Sequence, residues 1–383
     1  MKLASGLAGK GMHGTGAESK RGAVWRRRQL QRISMLCRHG GGIAAIAGPF
    51  CQAVTDLIGA DAGMMMWFSA DGAPQGFYHQ TAPAEVKDLF ATKLDDDFNQ
   101  TEPVSGYSLA KGPGPRVGRM LAPGMQELFE TGNIYKHLCA PIGHRYLLDM
   151  SAETAEGAAA AFFAWNPPGR PFRKQDAEAL EPVQPLLECA FRTNPENSHW
   201  ISHTRGTPHL IATNDGRKLL AIDAQAERLL SESNLLRQGI SPLQQLRHSP
   251  GFLQPIAGLL ADQDRCQLVL PVANGRLVCH AEKTRFLSEV NADEFNIFVG
   301  LDLQASISAL QIGAIANFDL TAMQAEILFL AMQGKARIAC QAELGVGEAA
   351  MKKHLQAIFL ATQTASWNDL KHLGQSCLEN FVG

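Results

Sequence analysis

Apolar residues recur every three or four positions between residues 25 and 58, which predicts a helix over this range. The pattern then changes to two apolar stretches around Asp71-Gly72, the spacing of a strand, a tight turn and a second strand. Further apolar stretches at residues 138–150 and 158–165 predict more strands. This order of helix, hairpin and strands is typical of an α+β module.

A helix predicted to begin at Asp176 closes this first module. Pro182 and Pro185 lie within its apolar pattern, so we expect them to kink the helix or to delay its start. The polar stretch R-T-N-P-E-N-S-H follows and marks a boundary near residue 195. The first folded domain is therefore predicted at residues 25–195.

A second α+β module is predicted at residues 200–312. Strands at 209–213 and 218–222 flank Asn-Asp-Gly, a strong hairpin signal, and Asp223 is a suitable N-cap for the helix that follows. A second strand pair surrounds Asn274-Gly275, and a further strand follows it.

The last segment, residues 313–383, carries no strand signal. Thr321 is a predicted N-cap, and tight glycine turns separate four predicted helices. These helices are predicted at residues 322–333, 336–344, 348–361 and 367–377. Four short helices in this arrangement match a helix-turn-helix module. The complete prediction is a multidomain chain with two α+β modules followed by an all-α domain.

The composition agrees with a protein of two or three domains. The chain has 383 residues, of which 45% are hydrophobic and 19% charged, and its net charge is −2. The eight cysteines include no C-x-x-C pair, which favours a reducing compartment over a disulfide framework. No apolar run reaches the length of a membrane span, and the first residues lack the apolar core of a signal peptide. We therefore expect a cytoplasmic protein that does not associate with membranes.

Basic residues are concentrated at the beginning of the chain. Residues 1–40 contain nine Lys and Arg side chains against Glu18 alone, and the first part is rich in glycine. Residues 1–24 are therefore predicted to form a disordered basic arm. Such an arm either contacts nucleic-acid phosphates or is a solvated leader, and the sequence leaves both open.

Two stretches of the last segment resemble the LuxR-type helix-turn-helix. They are L-T-A-M-Q-A-E-I-L-F-L-A-M-Q-G-K (residues 320–335) and E-L-G-V-G-E-A-A-M-K-K-H-L (residues 343–355). Residues 169–190 are similar to the end of a GAF-like sensory domain. Residues 213–230 are similar to the beginning of a PAS-like domain, with Asp223 where asparagine is usual. The resemblance implies a regulator that binds DNA as a homodimer and responds to a small-molecule ligand or a partner regulator.

Helical spacing divides the third helix of this domain into two faces. Met351, Leu355 and Ile358 fall on one side and are predicted core residues, while polar side chains project from the other. Together with residues of the preceding turn and helix, the predicted DNA-contacting set is Lys335, Arg337, Lys352, Lys353, His354 and Gln356.

Departures from the family pattern leave a second interpretation open. Gly347 occupies the position of the capping serine, and Ala350 replaces a threonine that commonly contacts phosphate. Residues 311–383 contain five basic and six acidic side chains, although DNA affinity depends largely on phosphate neutralisation. The alternative is a regulator that acts by heterodimerisation or titration of another regulator instead of direct DNA binding.

Other candidate sites lie in the first module. Its Met-rich and aromatic strands predict either a small-molecule pocket or an ordinary core, with the set Trp67, Phe77, Tyr78, His137, Cys139, Phe163 and Trp165. His137, Cys139 and His144 are alternatively haem, metal or chromophore ligands, although their loose spacing favours a structural role. The acidic run Asp95–Asp97 near Asn99 is either a cation site or a solvated turn.

No motif of nucleophilic, zinc-dependent, phosphate-binding or dinucleotide-binding catalysis occurs in the sequence. We therefore expect a protein that is not an enzyme and that has no cofactor and no metal site.

Overall fold

The computed structural model describes residues 16–82, 116–133, 135–192, 199–204, 206–233, 235, 250–273, 275–285 and 295–382. Within these ranges the chain forms two antiparallel sheets, each with associated helices, and a helical segment at the end. The acidic run Asp95–Asp97, interpreted from the sequence as either a cation site or a solvated turn, lies outside the described residues, as do residues 1–15.

Among its described residues, the first module has five α-helices and five strands. In chain order they are α1 Gly16–His39, α2 Ile43–Ile58, β1 Ala62–Phe68, β2 Pro74–His79, β3 Arg116–Met120, α3 Pro123–Thr131, β4 Tyr146–Glu153, β5 Ala159–Asn166, α4 Lys174–Glu178 and α5 Gln184–Arg192. The strands pair in the order β2-β1-β5-β4-β3. One face of this sheet packs on α1, α2 and α5, and the other on α3 and the helical turns after it.

The second module repeats this strand order. It contains β6 Trp200–Ser202, β7 His209–Thr213, β8 Leu219–Ile222, α6 Ala224–Glu232, α7 Leu253–Leu260, β9 Arg265–Val272, β10 Gly275–Thr284 and β11 Asn296–Ser306. The sheet order is β8-β7-β11-β10-β9, and β6 pairs with β11. If β6 is set aside and the strands of each sheet are numbered from one to five along the chain, both sheets have the spatial order 2-1-5-4-3.

The last segment is helical. The strand β11 leads directly into α8 Ile307–Ile315, and then follow α9 Ala322–Met332, α10 Arg337–Leu344, α11 Glu348–Thr362 and α12 Trp367–Val382. Thr321 and Gln324 form a reciprocal capping box at the start of α9, which satisfies two otherwise unpaired backbone N–H groups. Gly345 ends α10 in the left-handed conformation, with φ of 63°.

The first module and the helical segment share one continuous core. Ile33 and Leu36 of α1, Phe162 of β5, and Leu328 and Leu355 of the helical segment all belong to it. The helix α9 is central to this arrangement, because the eight residues 325–332 are all buried. A helix that is apolar around its whole circumference must be surrounded by protein, and α1, α8, α10, α11 and α12 surround α9.

The structure confirms several predicted elements and corrects others. The hairpin of β1 and β2, the N-cap at Asp223 and four helices in the last segment are all present, and the Pro182 region separates α4 from α5. The predicted single first helix is two helices separated at Gly40–Gly42. Residues 138–142 form helical turns and not a strand, and residues 16–24 are helical and not disordered.

Candidate functional site

The helix α11 presents the polar side chains that the sequence singled out. Met351, Leu355 and Ile358 are buried, as predicted from the spacing. The side chains of Lys352, Lys353 and Gln356 are exposed on the opposite side, and His354 is half-buried. The two lysines and the glutamine therefore form an exposed polar strip on an amphipathic helix of 15 residues.

The start of α11 lacks a side-chain cap. Gly347 is the N-cap residue and provides no side-chain acceptor for the free backbone N–H groups of the first turn. Val346, the residue before Gly347, donates its backbone N–H to the carbonyl of Gln341 at 3.0 Å, which fixes the turn from α10 to α11. No side chain in the described part of the chain caps the first turn of α11, whose backbone N–H groups are of the kind that a phosphate group binds.

Lys335 and Arg337 lie at the other end of the helix pair. Lys335 Nζ is 2.5 Å from Glu343 Oε2, so this cation is already paired. Its carbonyl accepts a hydrogen bond from Trp367 Nε1 at 3.0 Å, which ties the α9–α10 turn to α12. Arg337 is the first residue of α10 and is half-buried. Lys352 and Lys353, which form no ion pair among the described residues, are therefore the more available cations.

A buried ionic cluster that the sequence did not predict joins α1 to α9. Glu326 is 8% exposed and lies in ion pairs with Arg38 and with His39, whose Nε2 is 3.0 Å from Glu326 Oε2. The His39 ring also packs on Phe329, with 4.9 Å between the ring centroids. Burial by itself raises the pKa of Glu326, but the hydrogen bonds and charges of His39 and Arg38 outweigh it and hold this pKa below its ordinary value.

The predicted pocket residues of the first module lie on opposite faces of the sheet. Trp67 and Tyr78 belong to the core against the helices, whereas Phe77, Cys139, Phe163 and Trp165 lie at the other face. His137 is exposed on the helical turn Tyr135–Cys139. The seven residues thus do not line a single interior, and the second face combines aromatic side chains with the buried polar groups of His79, His144 and Asp149.

Two histidines and a tryptophan form a stack on this second face. The centroids of His79 and His144 are 5.2 Å apart, and those of His144 and Trp165 are 5.6 Å apart at an interplanar angle of 7°. Burial lowers the pKa of His144 to about 4, so its ring is neutral at pH 7. Burial also raises the pKa of the Cys139 thiol to about 12, which keeps it protonated.

The same face carries a cluster of charged side chains at its β3 edge. Asp149 on β4 is 1% exposed and is 2.5 Å from Arg119 Nη2 and 3.8 Å from Arg116 Nε. Directly opposed residues connect this cluster across the sheet, in the order Arg119, Asp149, Phe163, Met64 and His79. Opposed residues of antiparallel strands project on the same side, so a charged edge adjoins an aromatic centre.

In the second module, Asp223 performs two structural tasks. Its side chain accepts hydrogen bonds from the backbone N–H groups of Gln225 and Ala226, both at 2.8 Å, and from that of His209 at 2.5 Å. These bonds cap α6 and fix it to the start of β7. Burial by itself raises the pKa of the Asp223 carboxyl group, but the hydrogen bonds outweigh this effect and lower the pKa.

No group of three or more His, Cys, Asp or Glu side chains suited to a metal ion occurs in the described part of the chain. His137 and His144 accordingly do not converge with Cys139 on a common site. Among the helices in the described ranges, none is long and apolar enough to cross a membrane.

Comparisons with known proteins leave the family undetermined. No family model and no curated protein matches the chain. Two solved structures with some likeness are the phage VqmA–DPO complex and the sensor region of a sensor histidine kinase. The first is 17% identical, with a TM-score of 0.22, over 47% of this chain and 85% of that one. The second is 10% identical, with a TM-score of 0.17, over 73% and 92%. Values this low carry no conclusion about this chain.

Proposed function

We propose that this protein is a sensory transcription regulator. In this proposal the two α+β modules respond to a small ligand or a partner, and the helical segment 313–383 binds DNA through α11, as a homodimer. The observation that carries it is the amphipathic division of α11, which buries Met351 and Leu355 and exposes Lys352, Lys353 and Gln356. The LuxR-like sequence pattern of α9 to α11 supports the same function. The proposal includes no catalytic step.

The lysines would act by neutralising phosphates, and Gln356 would lie nearer to the base edges. Two lysines per chain are few for tight binding, and a dimer doubles them and reads two half-sites. Binding is therefore expected to depend strongly on salt concentration, because each neutralised phosphate releases a counterion.

The test is fluorescence anisotropy of labelled DNA from upstream of the gene, with the full chain at several salt concentrations. We expect the double variant Lys352→Ala/Lys353→Ala to bind at least about tenfold more weakly and to reduce the salt slope by about two per protomer. The matched control is Lys174→Ala/Lys218→Ala, which removes two exposed lysines from the sensory modules. Unchanged binding by the first double variant would reject α11 as the contact surface.

One observation favours a second function, in which the helical segment binds another regulator instead of DNA. Ile338 on α10 is 80% exposed and Leu360 on α11 is 83% exposed, so two large apolar side chains of this segment lie in solvent. Apolar side chains of this kind are typical of protein contacts when they belong to one surface. The second function is supported if the protein retains no DNA at low salt and binds a regulator at a defined stoichiometry.

A further inference from the structure

A bulge in β3 turns two arginines to the same face of the first sheet. Side chains along a strand alternate between faces, so Arg116 and Arg119, three positions apart, should project on opposite sides. The register shifts at Gly118, however, and both arginines lie opposite β4 residues of one face, Ser151 and Asp149. Gly118 has φ of +66°, which a glycine adopts without strain.

The two arginines do not share Asp149 equally. Arg119 Nη2 donates a hydrogen bond to Asp149 Oδ2, whereas Arg116 Nε is 3.8 Å from the same oxygen, beyond hydrogen-bonding range. The Arg116 side chain is only 12% exposed. Its Nε, Nη1 and Nη2 atoms are buried and have no hydrogen-bond acceptor within the part of the chain that the structure describes.

A buried guanidinium without acceptors is unfavourable, because each N–H group has lost its hydration and gained nothing in return. Burial accordingly lowers the pKa of Arg116, and the neighbouring Arg119 charge adds to this effect, while Asp149 opposes it. The planar fork of two Nη groups matches the two oxygens of a carboxylate or a phosphate. An oxyanion would therefore suit the unpartnered Arg116 guanidinium.

The surroundings of Arg116 indicate what carries this oxyanion. Phe163 lies opposite Asp149 on β5, and Trp165 lies two residues further, about 7 Å along the strand. Trp165 Nε1 and both ring nitrogens of His144 are buried without a hydrogen-bond partner among the described residues. These unused hydrogen-bonding groups thus lie on the same face of the sheet as Arg116, which is in register with Ser151 and Ala161, four residues before Trp165 on β5.

We propose that this face of the first sheet binds a small organic anion, with Arg116 as the bidentate anchor for its carboxylate or phosphate group and its uncharged portion directed along the face toward the ring edges of Trp165 and His144. The inference rests on the proposed sensory function and names the chemical class of the signal. The uncharged edge of the ligand takes the hydrogen bonds that Trp165 Nε1 and His144 leave open.

The experiment measures ligand binding by the full chain without DNA, so that it is independent of the DNA-binding test. The probes are benzoate, indole-3-acetate and phenyl phosphate, with benzamide as the uncharged counterpart and acetate and inorganic phosphate as anions without a ring. We expect the aromatic anions to raise the melting temperature of the protein. Benzamide, acetate and inorganic phosphate should raise it less. Benzoate against phenyl phosphate distinguishes a carboxylate from a phosphate ligand.

Variants assign the binding to these residues. Arg116→Gln should weaken the best probe at least tenfold, and Arg116→Lys, which retains the charge without the fork, should be intermediate. The matched control is Arg217→Gln, at an arginine whose side chain is 78% exposed in the second module. Unchanged affinity in Arg116→Gln, or no effect of any aromatic anion on the wild type, overturns the proposal.

A second measurement keeps the test decisive if Arg116→Gln does not fold. The probe should quench tryptophan fluorescence in the wild type, and Trp165→Phe should abolish most of that change. Trp67→Phe is the matched control, because Trp67 lies on the same sheet but faces the helices. Equal quenching in both variants places the probe elsewhere and overturns the proposal.

Discussion

Replacing Glu326 with glutamine should weaken the connection between α1 and α9. The change keeps the volume of the side chain and removes its charge, which leaves Arg38 and His39 without their anion. Removing one partner of a fully buried pair destabilises a protein by about 3–5 kcal/mol. Here the side chain of Glu326 is 10% exposed, but those of Arg38 and His39 are 43% and 28% exposed, so water partly compensates both. We therefore expect a loss of about 2 kcal/mol.

The assay is urea unfolding at pH 7 in physiological salt, in which a loss of this size lowers the midpoint by about 0.5–1 M. Glu343→Gln is the matched control, since Glu343 pairs with Lys335 in the same segment but both side chains are more than 40% exposed. An exposed pair of this kind contributes about 0–1 kcal/mol. Equal midpoint shifts in the two variants would refute the reasoning, as would a smaller shift for Glu326→Gln.

The lowered pKa of Glu326 also predicts how the stability difference between the two proteins changes with pH. The folded-state pKa of Glu326 is below its ordinary value of 4.5, so the contribution of Glu326 is present above pH 4.5 and is lost as the pH falls through the folded pKa. The difference between wild type and Glu326→Gln should therefore shrink as the pH falls below 4.5. A difference that grows as the pH falls below 4.5 would contradict the assignment.

Two further predictions concern packing. Gly118→Ala should destabilise the first module by about 2 kcal/mol in urea unfolding, because φ is +66° and a Cβ would lie 2.6 Å from Ala177 Cβ; wild-type stability would show that the bulge tolerates a side chain. Leu355→Ala should destabilise by about 2–5 kcal/mol, since its side chain is buried, whereas Leu360→Ala on the same helix should stay within about 0.5 kcal/mol; equal losses would contradict the division of α11.

The sequence predicted those elements whose ends carry strong local signals. Thr321, Gly345 and Asp223 cap helices through hydrogen bonds or backbone angles that depend on one or two residues, and the structure has these caps at the predicted positions. The hairpin at Asp71-Gly72 was predicted for the same reason. Local chemistry therefore located most of the helices of the last segment and several strands.

Features that depend on distant partners were not predictable in this way. The strand β3 is short and contains two arginines, and its identity depends on pairing with β4. The helix α8 has little amphipathic character, because it packs against several elements at once. The cluster of Glu326 with Arg38 and His39 joins residues almost 290 positions apart. The side of the sheet on which each pocket residue lies also depends on strand register. The alternation of side chains within one strand does not predict this register where a bulge interrupts the strand.

The enclosure of α9 has an evolutionary consequence. A helical domain that is joined to the rest of a protein only by a linker can be exchanged between proteins by recombination, because its sequence carries its whole core. Here the run from Ala325 to Met332 is buried on every side, and Arg28 and Arg38 of α1 contribute ion pairs with Asp319 and Glu326. A gene segment that encodes only residues 313–383 would carry an apolar helix without its cover. Substitutions in α1 are therefore expected to be compensated by substitutions in the helical segment, and the reverse.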